Sequence, residues 1–183
     1  MKLRHWATAI AICLFSLPVA AQDSQANLIF DAVEKNQLDK VTSLIEGGID
    51  VNVQDMLRNT PMHMAAFFGR EKVIELLAKK GGDVNAINEA GRSPLYSAVH
   101  ANHPHAVETL LKLGAKLDAR YGQDRKTILH IAAENKRYEA AEKLLEAGAD
   151  LKAKDGSGKS AVDYAKASKD KELLKLFKDK RWK

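Results

Sequence analysis

A seven-residue stretch, Thr60-Pro61-Met62-His63-Met64-Ala65-Ala66, returns in altered form along this chain, and its spacing leaves few folds open. The later copies are Ser93-Pro94-Leu95-Tyr96-Ser97-Ala98-Val99, Thr127-Ile128-Leu129-His130-Ile131-Ala132-Ala133 and Ser160-Ala161-Val162-Asp163-Tyr164-Ala165. Their opening hydroxyl residues are 33, 34 and 33 positions apart. A second series runs in phase with the first. Gly48, Gly81, Gly114 and Gly148 each end an apolar run and precede an Asp-Val-Asn-like turn. Two independent markers with one period of about 33 residues are the signature of a repeat array. The chemistry of each copy is that of a helix start. Thr or Ser accepts a hydrogen bond from a free amide of the first turn, and Pro loses nothing at the next position. The small residues Ala65, Ala98, Ala132 and Ala165 let helices approach closely. The glycine series supplies left-handed helix ends. One such unit cannot bury its own apolar face, whereas stacked neighbours can.

The motif and its period resemble the ankyrin repeat, over roughly Asn27 to Phe177. The resemblance implies an all-α solenoid of about five helix-turn-helix units with projecting β-hairpin loops. The expected repeats span about 25–55, 56–88, 89–121, 122–155 and 156–177. The first unit, with Asn27-Leu28-Ile29-Phe30 where the motif belongs, is degenerate, as a cap facing water must be. The second matches best. In the third, Tyr96 replaces the motif His, His103 is read at the position of the usual inter-helix Gly, and Pro104 opens the second helix. The loop after Gly114 carries one extra residue, and Lys126 at its end is read as a solvent-exposed tip residue. The resemblance also implies that Asn52 and Asn85 bond along the stack, and that His63 and His130 tie helix starts to the adjacent loop.

The N-terminus stands outside this pattern. A short basic region, Met1–His5, precedes an uncharged apolar run from Trp6 to Leu17, and Pro18-Val19-Ala20-Ala21 ends in small residues. That order is a secretory signal peptide over residues 1–21, with cleavage expected after Ala21. A membrane anchor is the alternative, but about a dozen apolar residues are too few to span a bilayer. The only cysteine, Cys13, lies in this segment and follows Ile12, where a lipoprotein signal needs a small residue. A product starting at Gln22 contains no thiol to oxidise or pair. The expected location is the periplasm or outside the cell.

Charge discriminates little. Without Lys2 and Arg4, 27 basic and 24 acidic residues remain, too even for nucleic-acid binding. The excess collects between Lys166 and Lys183, with eight basic and three acidic residues. Residues 178–183 are read as a basic tail. It is either the solvated end of a capping helix or, through Trp182, a contact for an anionic membrane surface.

No nucleophile elbow, phosphate loop, HExxH or CxxC occurs, so no catalytic residue and no cofactor is expected. His100, His103 and His105 form the one metal-like grouping, but Pro104 turns the chain between them and no fourth ligand is near. No metal site is assigned. In ankyrin-like arrays partners dock on the loop tips and first helices. Mapped onto this chain, the resemblance implies a partner-binding group of Met56, Leu57, Asn59, Phe67, Phe68, Arg92, His100 and Arg125. Met56, Leu57, Phe67 and Phe68 are large and apolar where such surfaces are usually polar. The expected function is a periplasmic protein–protein interaction module, an adaptor or modulator of another exported protein, acting as a monomer. Two alternatives stand beside it: an immunity protein against a toxin delivered to the periplasm, and an accessory to a periplasmic enzyme such as a catalase.

Overall fold

A computed structural model describes the backbone of residues 19–182. The basic and apolar parts of the expected export signal, residues 1–18, lie outside that range. The helices come in pairs. The first members are α1 (Val19–Glu34), α3 (Pro61–Phe67), α5 (Pro94–Ala101), α7 (Ile128–Glu134) and α9 (Ala161–Ala167). The second members are α2 (Leu38–Glu46), α4 (Glu71–Lys79), α6 (Pro104–Lys112), α8 (Tyr138–Glu146) and α10 (Lys171–Lys178). Each first helix packs on the first helices before and after it, and each second helix does likewise. The result is a two-layer stack with one continuous core, from Ile29 through Ile74, Leu95, Leu110, Leu129 and Leu144 to Leu173.

The hydroxyl residues cap as the sequence predicts. Thr60, Ser93, Thr127 and Ser160 all sit in extended backbone at the start of a first helix. His63 completes the cap. Its Nδ1 accepts the Thr60 N–H at 3.2 Å, and its Nε2–H donates to the Arg92 carbonyl of the next loop at 2.9 Å. His130 repeats the arrangement with Thr127 and the Lys159 carbonyl. The glycines of the second marker series take φ between 88° and 100°, the left-handed conformation that ends the second helices.

The predicted hairpin loops project, but among the described residues they contain no strand. Tyr121 and Lys126 form a single antiparallel bridge. The other tips are five residues long, and each is closed by one backbone bond, such as the Asp55 N–H to the Asn59 carbonyl, and by a side chain that takes the returning amide. Asp55 Oδ1 accepts the N–H groups of Leu57 and Asn59, and Asp155 Oδ1 does the same for Ser157 and Lys159. The side chain takes the amide that would make the second bond of a bridge, so no ladder starts there.

Three local readings change. The left-handed residue after α5 is Asn102, at φ 64°, in the place that Gly69 holds after α3 at φ 63°. His103 is instead the N-cap residue of α6, and its ring lies on Gly69, where a Cβ would come within 2.6 Å of Nδ1. Lys126 is not a free tip residue. Its ammonium donates to Glu134 at 2.8 and 3.0 Å, its side chain is 15% exposed, and it lies over the Tyr164 ring. The C-terminal residues Lys180–Trp182 form a 3-10 turn that folds back. Trp182 Nε1 donates to the Leu176 carbonyl at 2.9 Å and its ring packs on the core, while Arg181 reaches Glu142 of α8. The indole is therefore part of the cap rather than presented to a membrane.

Candidate functional site

The loop tips and the last turns of the first helices line one side of the stack. Between the second and third repeats they enclose a cleft of about 440 Å³, lined by Leu57, Asn59, Phe67, Asn88, Glu89, Ala90, Arg92, Tyr96, Ser97 and His100. Its walls are held by hydrogen bonds between successive tips. Asn59 donates to Asp55 and accepts from Asn88 Nδ2 at 2.8 Å. The Glu89 N–H donates to the Leu57 carbonyl at 3.0 Å. Arg92 is fixed from both sides, its N–H donating to Asn88 Oδ1 and its carbonyl accepting from His63.

Above this frame stand apolar groups that none of the described residues covers. Met56 is 98% exposed, Leu57 61% and Phe67 46%. They cluster because α3 ends at Phe67, the residue directly after the buried pair Ala65 and Ala66, while Met56 and Leu57 occupy the turn positions of the tip beside it. A second cleft, of about 340 Å³, continues the surface toward the first repeat with Phe30, Gln54, Asp55, Met56 and Leu57 among its lining. Leu57 borders both.

Of the residues predicted from sequence, Leu57, Asn59, Phe67, Arg92 and His100 thus line one cleft, and Met56 borders its continuation. Phe68 does not. It is half-buried after α3, edge-on to Phe67 with ring centres 5.2 Å apart, and the Arg70 guanidinium covers its other side. Arg125 stands on the next tip, exposed and outside the cleft lining.

Tyr96 is the residue that sequence reasoning left out. It occupies the cap-completing position of His63 and His130, but a phenol cannot accept the cap amide and donate across the stack from two ring nitrogens. Its neighbours take over those tasks. Ser93 Oγ accepts the Tyr96 N–H at 3.2 Å, and the buried Tyr121 hydroxyl reaches Ser93 Oγ at 2.8 Å from the next loop. Burial raises the Tyr121 pKa, so that hydroxyl keeps its proton. The Tyr96 ring is free to face the cleft, with the Arg92 guanidinium 4.9 Å from its centre and His100 stacked at 5.8 Å. The signal was visible in the sequence as a tyrosine at the position that His63 and His130 hold.

His100, His103 and His105 do not converge. His100 stacks on Tyr96 and His103 lies on Gly69. Among the described residues no group of three His, Cys, Asp or Glu side chains is placed to hold a metal. No helix among them is long and apolar enough to cross a membrane.

Comparison with known proteins agrees with this architecture. A family model described as ankyrin repeats (3 copies) matches residues 29–121, and one described as ankyrin repeats (many copies) matches residues 117–165. An ankyrin repeat protein of fowlpox virus is 40% identical over 60 residues, 33% of this chain and 9% of that protein. The human 2-5A-dependent ribonuclease is 40% identical over 58 residues, 31% of this chain and 8% of that enzyme. An ankyrin repeat protein of Rickettsia felis is 32% identical over 71 residues, 38% of this chain and 23% of that protein. The chain thus matches under a quarter of the length of each of these relatives. Ankyrin repeats form a non-catalytic fold that binds other proteins. By its motif period, its stacked helix pairs and the matched span, this chain belongs to the ankyrin repeat family.

Proposed function

We propose that this chain is a periplasmic interaction module, an adaptor or modulator that binds another exported protein and performs no chemistry of its own. The observation that carries the reading is the uncovered apolar group of Met56, Leu57 and Phe67 at the edge of a cleft whose walls are locked tip to tip. Apolar area gathered in one place on an otherwise polar surface marks a contact site. An aromatic side chain at the centre of such a patch carries a large share of binding energy. A frame held by hydrogen bonds loses little freedom when the partner arrives. Export is supported by the basic, apolar and small-residue order of residues 1–21 and by the absence of cysteine after Cys13.

The test is the double substitution Leu57→Ser with Phe67→Ser, followed by pull-down from periplasmic extract and a thermal melt. Both side chains are exposed, so the melt is expected to stay within a few degrees. Capture is expected to weaken by about 30-fold or more, from a loss of about 2 kcal/mol. Full-strength capture by a protein that still folds would place the site elsewhere. Loss of the fold would make these residues core.

A further inference from the structure

The third and fourth repeats carry different side chains at two equivalent positions, and among the described residues the difference leaves Arg92 without a carboxylate partner. Arg92 and Lys126 each precede the hydroxyl cap of a first helix, and His100 and Glu134 each stand in that helix's last turn. In the fourth repeat the cation is paired: Glu134 supplies the carboxylate to Lys126, which also lies over the Tyr164 ring of the fifth repeat. In the third, Arg92 lies over the Tyr96 ring, but the last-turn residue is His100. Among the described residues Arg92 forms no salt bridge, and Glu89, in the same cleft, forms none either. The backbone of Arg92 is nonetheless held at its N–H and its carbonyl. A guanidinium on an aromatic face, with its backbone pinned, is prepared for a planar carboxylate.

We infer that the cleft receives an extended segment of the partner protein in which a large apolar side chain neighbours an Asp or Glu. The apolar group seats against Leu57 and Phe67, and the carboxylate takes at Arg92 the place that Glu134 holds at Lys126. This rests on the binding-site reading above and adds the chemistry of the partner. The charge along the tips agrees. Arg58, Arg125 and Lys159 repeat the cation at the other tips, and none forms a salt bridge among the described residues. The acids there are mostly spent: Asp55 and Asp155 close their own turns, and Asp124 faces Lys126. Such a row favours an anionic segment and disfavours a basic one. An internal segment fits better than a chain end, because Leu57 joins the two clefts into one path that a crossing strand can follow.

A displayed random dodecapeptide library, each peptide flanked at both ends, tests this with the whole protein. Selected sequences are expected to pair a large apolar residue with Asp or Glu. A selected peptide is then made synthetically and titrated by fluorescence anisotropy. Changing its acid to the amide is expected to weaken binding about tenfold, the effect of losing a hydrogen bond to a charged group. Arg92→Gln is expected to do the same, and the two changes together are expected to cost little more than either alone. Arg92→Gln leaves the pinned backbone in place, and a melt checks the fold. If the peptides lack acids, or amide replacement costs the variant as much as the wild type, the inference is overturned. In that case sensitivity to the Leu57→Ser, Phe67→Ser pair would leave the binding site standing. Selected peptides indifferent to that pair, or no selection at all, would overturn both. Binding only through a free C-terminal carboxylate, or self-association lost in Arg92→Gln, would also overturn the inference.

Discussion

Leu129 offers the sharpest test of the stack, because its burial depends on neighbours on both sides. It lies in the first turn of α7, is 1% exposed, and its helix packs against α5, α8 and α9. Leu129→Ala removes three carbon atoms. At about 0.8 kcal/mol per buried methylene the transfer loss is about 2.5 kcal/mol. Helices pinned by caps and loop bonds collapse poorly around a void, so a cavity cost is added, for a total of about 3–4 kcal/mol. For a domain of this length each kcal/mol moves the melting temperature by about 2–4 °C, so a drop on the order of 10 °C is expected. Gln123→Ala on the exposed tip of the same repeat is the control, expected to stay within about 0.5 kcal/mol. Lys126→Ala should fall between them at about 1 kcal/mol, because its half-buried pair with Glu134 and its seat over Tyr164 are lost. Urea melts by far-UV circular dichroism measure all three. Equal losses for Leu129→Ala and Gln123→Ala would refute the phase of the repeats, since α7 would then present another face to the core.

Three further outcomes are expected. Burial lowers the His63 pKa below its ordinary value, so the fold favours neutral imidazole. That contribution is complete above about pH 6.5 and is lost as pH falls through the folded value; melts at pH 7.5 and pH 5 should show the loss in the wild type and a smaller one in His63→Gln. Asn52 and Asn85 each bridge to the following repeat, by bonds to Gly81 and Asp83 and to Gly114 and Lys116. Asp118 and Lys152 stand at the same place later in the chain and make no such bridge. The C-terminal junctions should therefore open first, seen as faster amide exchange in α9 than in α3 and a Trp182 fluorescence change at lower urea than the circular dichroism transition; simultaneous opening would show that the missing bridges are compensated. Mass spectrometry of protein from its native host should find a chain starting near Gln22; retention of residues 1–21 in a cytoplasmic product would sink the periplasmic proposal.

What the sequence determined by itself is what neighbouring residues settle among themselves. The caps at Thr60, Ser93, Thr127 and Ser160, the proline starts of α3, α5 and α6, and the left-handed ends at Gly48, Gly81, Gly114 and Gly148 follow from chemistry within a few residues. Their period made stacking necessary, because no unit could bury its face alone. The apolar side chains of Met56, Leu57 and Phe67 were legible for the same reason: they fall outside the helical spacing of the core. What only the tertiary structure decided involves partners one repeat apart. Lys126 was read as a free tip residue because its seat over Tyr164 lies in the next repeat. Arg70 and Arg137, at the starts of α4 and α8, reach back to the Glu34 and His100 carbonyls of the preceding repeat, which no local pattern announces. His103 was placed one residue off because the left-handed turn there is made by Asn102, whose tolerance of that conformation resembles glycine's. Tyr96 turned from a lapse in the motif into the face on which Arg92 rests only when the stack brought Tyr121 to Ser93 and released the phenol toward the cleft. A period fixes which repeats are neighbours; which side chains meet across the junction depends on loop lengths and small rotations, and an extra residue such as the one between Gly114 and Thr127 changes the answer.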